Sequence, residues 1–131
     1  MTHGDRARKN RRIDDMKTML LGLDISTSTI GVSVLDIDSK SLVYIGYIKP
    51  VGNNLYEKVK SAINDFDLII ENKAIQPITA IYAEQPNIMF RPGFSSAQVL
   101  STILRFNGAF LFTLYQKFGI LIIEAMAVSM R

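Results

Sequence analysis

Two acidic residues, each placed after an apolar run typical of a β-strand, are the strongest candidates for chemistry. Asp24 follows the run that begins at Met19, and Glu84 follows the run that begins at Ile78. If these strands are parallel neighbours, both carboxylates emerge at the same edge of the sheet, where α/β sheets bind ligands. At about 4 Å the two charges repel by ~1 kcal/mol in water and by ~4 kcal/mol at an effective dielectric of about 20. A bound divalent cation would remove this repulsion.

The composition restricts which metal such a site could hold. The chain has no cysteine and one histidine, His3, which lies in the amino-terminal tail and receives no role. Oxygen ligands favour hard cations, so Mg²⁺ or Mn²⁺ is expected at Asp24 and Glu84. Each acid also has an ordinary interpretation, because Asp after a strand often forms a turn and Glu before a Gln-Pro pair can simply face solvent.

The elements that must position these acids follow a β-β-β-α-β-α-β pattern. Alternating and β-branched runs predict an antiparallel meander over residues 19–24, 31–36 and 42–48, then strands over 78–83 and 120–124. A helix joins the third strand to the fourth, which is the connection that parallel pairing requires. The sequence therefore predicts an α/β fold with a mixed five-stranded sheet, three antiparallel strands followed by two parallel ones, and a buried fifth strand.

Two helices complete the pattern. Asn54 is the expected N-cap of the first helix, and Ser95 or Ser96 caps the second, which runs to about Phe118 and ends at Gly119. The first apolar face contains Leu55, Val59, Ala62, Ile63, Phe66, Ile69 and Ile70. The second contains Ala97, Leu100, Ile103, Leu104, Leu111, Leu114 and Phe118.

Composition and charge indicate one globular domain preceded by a basic tail. Hydrophobic residues make up 48% of the 131 residues, which excludes a disordered chain. Residues 1–17 are rich in arginine and are expected to be disordered; they either add affinity for nucleic acid or are merely solvated, and Met16 or Met19 is an alternative start. No uninterrupted apolar run approaches about 18 residues and no secretory signal is present, so a cytoplasmic protein without a membrane segment is expected.

Two motifs resemble the RuvC-type Holliday junction resolvases, especially the versions carried by bacteriophages. The segment 21–31, Leu-Gly-Leu-Asp-Ile-Ser-Thr-Ser-Thr-Ile-Gly, looks like the first motif of that family. The second motif is the more specific, with Ala-Glu-Gln-Pro at 83–86, Gly-Phe-Ser-Ser-Ala-Gln at 93–98 and Phe-Asn-Gly at 106–108. The similarity covers about residues 19–131. Ser26 departs from the pattern, because many relatives have glycine there.

The resemblance implies a ribonuclease-H-like fold and a magnesium-dependent endodeoxyribonuclease that cuts branched DNA as a homodimer. Four acids hold the metals in that family, and the last two lie on a carboxyl-terminal helix. Only Asp24 and Glu84 carry over, so residues 18–131 are expected to form a ribonuclease-H-like domain that lacks this helix. The chain by itself is then expected to bind metal weakly and to fold without cutting DNA.

Other polar residues are weaker candidates. Arg91 could contact a DNA phosphate beside Glu84, although a single loop arginine is commonly only solvated. Ser95 and Ser96 could bind phosphate at a helix amino terminus or act only as caps. Asn107 and Gly108 could allow close helix packing at a dimer interface, although an ordinary buried polar residue is the favoured interpretation of Asn107. Glu124 is interpreted as a structural or surface acid.

Two other functions remain open. A non-catalytic module that binds nucleic acid would keep the fold without the complete set of acids. A fragment of the sugar-kinase and heat-shock ATPase superfamily would use a similar first hairpin to bind ATP phosphates. The Glu-Gln-Pro strand end and the helix that follows favour the nuclease over the kinase.

Overall fold

The computed structural model describes residues 18–26, 28–73, 75, 77–84 and 97–125. The predicted tail, Arg91, Ser95 and Ser96 lie outside this described part of the chain. Within it the chain forms five strands and two helices, in the order β1 (Met19–Ile25), β2 (Ile30–Asp36), β3 (Ser41–Ile48), α1 (Leu55–Asn72), β4 (Ile78–Glu84), α2 (Ala97–Phe118) and β5 (Ile122–Ala125).

The strands form one mixed sheet in the order β3-β2-β1-β4-β5. β1 pairs antiparallel with β2, and β2 pairs antiparallel with β3. β1 and β4 are parallel, as are β4 and β5. The predicted fold class is confirmed. The central position of β1 follows from the connections, since the hairpin places β2 on one side and the crossover through α1 places β4 on the other.

Both helices pack against the same face of the sheet. The core joins inward residues of the strands, such as Leu21 and Ile81, to Phe66 of α1 and Phe110 and Leu114 of α2, all with no exposed surface. The opposite face, which we call the open face, carries side chains that remain exposed to solvent: Ile45, Tyr47, Tyr82 and Ile123. Burial of only one face explains why apolar and less buried residues alternate along β1 and β2.

The start of α1 is set by local hydrogen bonds. The Asn54 side-chain oxygen accepts a hydrogen bond from the Glu57 backbone N–H at 2.9 Å, and the Glu57 carboxylate accepts one from the Asn53 N–H at 2.6 Å. These bonds satisfy amide groups that a helix start leaves without partners. The predicted N-cap is confirmed.

The predicted apolar face of α2 was partly wrong. Leu104 is 47% exposed and Ala97 is exposed, whereas Phe106 and Phe110, absent from the predicted face, are buried. Apolar residues occur nearly all around this helix, so periodicity alone does not choose a face, and packing selects the side that contains Phe110 and Leu114. Asn107 is buried as predicted. Gly119 ends the helix as predicted, with φ of 65° and its N–H bonded to the Tyr115 carbonyl at 2.8 Å.

The length and composition of α2 are also those of a membrane-spanning helix. It is the one helix among the described residues that is long and apolar enough, and 28% of its most apolar stretch is buried inside the structure. The core helix of a soluble protein can pass the same test. The sequence prediction missed this property because charged and polar residues interrupt the apolar run.

The fifth strand is shorter and more exposed than predicted. It spans Ile122–Ala125, and none of its four residues is buried. β5 lies at the edge of the sheet that the described residues form, where β4 is its one paired neighbour. An apolar run such as Ile120 to Ile123 is consistent with a central or an edge strand, and only the sheet order distinguishes them.

The packing of α1 generates a stability prediction. Phe66 has no exposed surface, and its ring meets that of Phe118 edge to face, with 5.9 Å between centroids. We expect Phe66→Ala to lower the free energy of unfolding by about 3–5 kcal/mol, because it leaves a cavity between α1, α2 and the sheet. The matched control Leu68→Ala, at a site 52% exposed, should change it by less than about 0.5 kcal/mol. Urea denaturation followed by circular dichroism measures both; equal losses would contradict this packing.

Candidate metal centre

The parallel pairing of β1 and β4 brings the two predicted acids together. Asp24 and Glu84 are direct register partners at the carboxyl ends of their strands. Neighbouring strands lie about 4.8 Å apart, and register partners project from the same face of a sheet. Both side chains are exposed. The juxtaposition predicted from the sequence is therefore present.

Small residues flank the acid pair on both sides. The register places Tyr47, Gly31, Asp24, Glu84 and Ala125 in one row across all five strands. A Cβ atom added at Gly31 would lie 3.5 Å from the Asp24 Cβ, so a larger side chain there would crowd the carboxylate. The two acids consequently stand in a trough that neither neighbour fills.

The adjacent row continues this trough as a groove. It contains Ile45, Ser33, Gly22, Tyr82 and Ile123 in strand order. The two rows border a groove of about 500 Å³. Gly22 and Ser33 line the middle of the groove, and the larger side chains of Ile45 and Tyr82 line its sides. This space on the open face can admit a hydrated cation together with part of a larger ligand.

A short turn next to the site holds the ends of β1 and β2 together. The Ser26 N–H donates to the Thr29 carbonyl at 2.9 Å. The Ser26 hydroxyl donates to the same carbonyl at 2.9 Å and accepts from the Thr29 N–H at 3.1 Å. Ser26, the departure from the family pattern, therefore takes part in closing the turn that follows Asp24.

The chemistry of the donors fits a hard divalent cation. Carboxylate oxygens are the ligands that Mg²⁺ and Mn²⁺ prefer, and Mg²⁺ commonly uses one or two of them and retains several waters. No cluster of three or more His, Cys, Asp or Glu residues occurs in the part of the chain that the structure describes. Glu124 is exposed and borders a different groove with Tyr115 and Leu121, so it does not join the pair.

Sequence reasoning missed the residues that shape the groove. Ser33, Tyr82 and Ala125 line it together with Gly22 of the first motif, and none of these three was singled out as part of a site. Their common signal is positional, because each lies at or next to the register level of an acid. That signal becomes visible only when strand order and register are known.

Comparison with solved structures identifies the architecture. Thermus thermophilus RuvC in complex with a Holliday junction substrate superposes with a TM-score of 0.63 at 13% identity. The match covers 84% of this chain and 65% of that chain. The chain has a ribonuclease-H-like fold. No protein-family model matches it, and no curated protein matches it either.

Proteins with different activities share this ribonuclease-H-like architecture. The yeast mitochondrial Holliday junction resolvase Ydc2 matches with a TM-score of 0.55 at 11% identity, over 96% of this chain and 58% of that one. A ROK hexokinase from Thermus thermophilus matches with a TM-score of 0.53 at 13% identity over 83% of this chain and 34% of that one. The present chain thus spans less than two-thirds of the length of each. At these identities the matches show the ribonuclease-H-like fold alone.

The geometry predicts electrostatic coupling between the two acids. Like charges directly opposite on neighbouring strands destabilise a sheet, and we expect Asp24→Asn and Glu84→Gln to be non-additive by up to about 1 kcal/mol in a buffer that contains EDTA. The coupling should shrink in about 1 M salt because the Debye length falls to about 3 Å. Urea denaturation in EDTA of the wild type, the two single variants and the double variant measures this coupling. The matched pair Asp65→Asn and Glu84→Gln should be additive, because Asp65 lies on α1. Additivity in both pairs would show that the two carboxylates do not interact.

Proposed function

We propose that this chain is part of a metal-dependent, structure-selective DNA endonuclease that resolves branched (Holliday) junctions. The observation that carries the proposal is the in-register pair Asp24 and Glu84 in an open groove of a ribonuclease-H-like sheet. The motif resemblance to RuvC-type resolvases supports it, as do the structural neighbours described as RuvC with its junction substrate and as Ydc2.

Asp24 and Glu84 would hold the metal between adjacent strand ends. A bound Mg²⁺ or Mn²⁺ would activate a water for attack on a phosphodiester and stabilise the leaving oxygen. The two carboxylates place negative charge where the cation must sit, while Gly31 and Ala125 leave the space beside them clear. The end of the groove next to Gly31 and Ala125 leaves the acids open to the substrate backbone.

The open face offers a surface for the remaining part of such a site. The family resemblance places two further acids on a carboxyl-terminal helix, and we propose that a helix of this kind covers the open face. Ile45, Tyr82 and Ile123 are exposed there and lie one row from the acids. An amphipathic helix on this surface would bury apolar side chains and bring its own carboxylates to Asp24 and Glu84.

Contacts with DNA and with a second subunit complete the proposal. Arg91 and the hydroxyls of Ser95 and Ser96 stay our candidates for phosphate contacts in the segment between β4 and α2. The outward side of α2 carries the exposed side chains of Leu104, Phe112 and Tyr115. We assign that side to a homodimer that presents two sites to a symmetric junction.

A cleavage assay on a labelled four-way junction with Mg²⁺ or Mn²⁺ tests the function. It compares the 131-residue chain with a version extended by whatever its gene encodes after Arg131. We expect Asp24→Asn and Glu84→Gln each to reduce cleavage by the active version by at least about 100-fold, because each removes charge that holds the metal. Asp65→Asn is the matched control and should cleave normally.

Other outcomes would assign another function. Binding of the junction without cleavage, in every version and with either metal, would support a non-catalytic nucleic-acid-binding module. Indifference to DNA combined with ATP hydrolysis would support the kinase-like interpretation. Either outcome would overturn the resolvase proposal.

The assigned dimer surface makes a separate prediction. Phe112 is 59% exposed on α2, and Phe112→Lys should shift the protein toward monomer because it would bury a charge in the interface. Leu68→Lys, at a comparably exposed apolar site on α1, should leave the mass unchanged. Light scattering across a concentration series measures both. A wild-type chain that stays monomeric at high concentration would contradict the dimer.

A further inference from the structure

β3 is an exposed edge of the sheet with unusual composition. Its eight residues, Ser-Leu-Val-Tyr-Ile-Gly-Tyr-Ile, include no charged residue and no proline, and β2 is its one partner in the described sheet. An edge strand presents unpaired backbone N–H and C=O groups along its outer side, and proteins commonly block such edges with charge, proline or shortness. β3 has neither charge nor proline and is not short; its one protective feature is a bulge at Val43, and residues 44–48 form its regular, unblocked part.

The opposite edge shows the contrast. β5 has four residues, and Glu124 lies within it, so that edge is both short and charged. β3 is twice as long, and its bordering charges are Lys40 before the strand and Lys49 after it. Val34 pairs with Tyr44 and Leu35 pairs with Leu42, so Val43 is an extra residue that forms a bulge in β3, and the pairing of residues 44–48 after it is regular. The outer backbone of β3 is therefore suited to accept another strand.

The side chains of β3 add an apolar surface to this edge. Ile45 is 70% exposed and Tyr47 is 63% exposed, and both lie on the open face. The Lys49 ammonium lies 5.6 Å from the centre of the Tyr47 ring, which holds a positive charge beside the end of the strand. An added strand would pair with the backbone and pack alternate apolar side chains beside Ile45 and Tyr47.

We propose that β3 binds an extended segment of another protein, with alternating apolar residues between an acidic residue at each end. Lys40 and Lys49 favour such a partner, because its acidic ends would complement their positive charges at the two ends of β3. A second copy of the chain fits less well, because antiparallel pairing over the whole of β3 places Lys40 opposite Lys49 of the other copy at both ends. This inference does not depend on nuclease activity, since it uses neither Asp24 nor Glu84.

A designed peptide provides the probe. We would use a fluorescein-labelled peptide of about ten residues, with valine and threonine alternating between terminal glutamates, so that at about 3.3 Å per residue it matches β3 and its flanks. A second peptide carries terminal lysines instead. Fluorescence anisotropy measures the affinity of each for the full chain, and amide hydrogen exchange reports whether residues 41–48 become protected.

Charge reversal makes the test specific. The wild type should bind the glutamate-ended peptide about fivefold more tightly than the lysine-ended one, as expected for two exposed ion pairs, and the double variant Lys40→Asp, Lys49→Glu should reverse the preference. Aspartate is chosen at position 40 because Lys40 has φ of 56°, a conformation that Asp tolerates well. The matched control is the double variant Lys60→Glu, Lys73→Glu, which makes the same change in net charge at one position in α1 and one just after it. This variant should keep the wild-type preference.

Each alternative result overturns the proposal. Absence of binding by both peptides would show that the edge is closed to added strands. Binding without protection of residues 41–48 would place the contact elsewhere. Self-association of the chain that protects these residues would identify a second copy as the occupant.

Discussion

The parallel contact between β1 and β4 is the constraint on which the remaining structure depends. Leu21 and Leu23 of β1 and Ile81 and Ala83 of β4 are buried, so these strands can meet in only one alternation of faces. A slip of one residue between the two strands would invert one of them, so that its buried residues would face solvent and its acid would face the core. The burial that stabilises the sheet therefore also keeps Asp24 and Glu84 on the same face, where the pairing of the strands aligns their carboxylates.

The one-sided packing of the helices has consequences for every proposed interaction. Because α1 and α2 both cover the inner face, the acids, the groove and the exposed side chains of Tyr47 and Tyr82 share the open face. Small residues beside the acids give that face a trough instead of a flat apolar surface. The same face reaches β3, so a ligand in the groove and a strand added at the edge would lie next to each other across Ile45.

The two helices depend to different degrees on local hydrogen bonds and on tertiary packing. The start of α1 is determined by Asn54 and Glu57, whose hydrogen bonds form within a few residues. α2 depends on its surroundings, because its apolar residues extend around the helix and five of its side chains are buried. The remaining apolar side, including Phe112 and Tyr115, is available for contacts outside this domain.

The succession of strands and helices along the chain, the mixed pairing, the Asn54 cap and the Gly119 stop could all be predicted from the sequence, because each rests on periodicity, connection length or hydrogen bonding between near neighbours. The pairing of Asp24 with Glu84 was also predictable, since both follow strands that a helical crossover makes parallel. Tertiary structure alone decided which side of α2 is buried, that β5 is an exposed edge, and that Gly22, Ser33, Tyr82 and Ala125 form the groove. Those properties depend on which strands become neighbours and in what register, and residues distant in the sequence acquire that relation only when the sheet assembles.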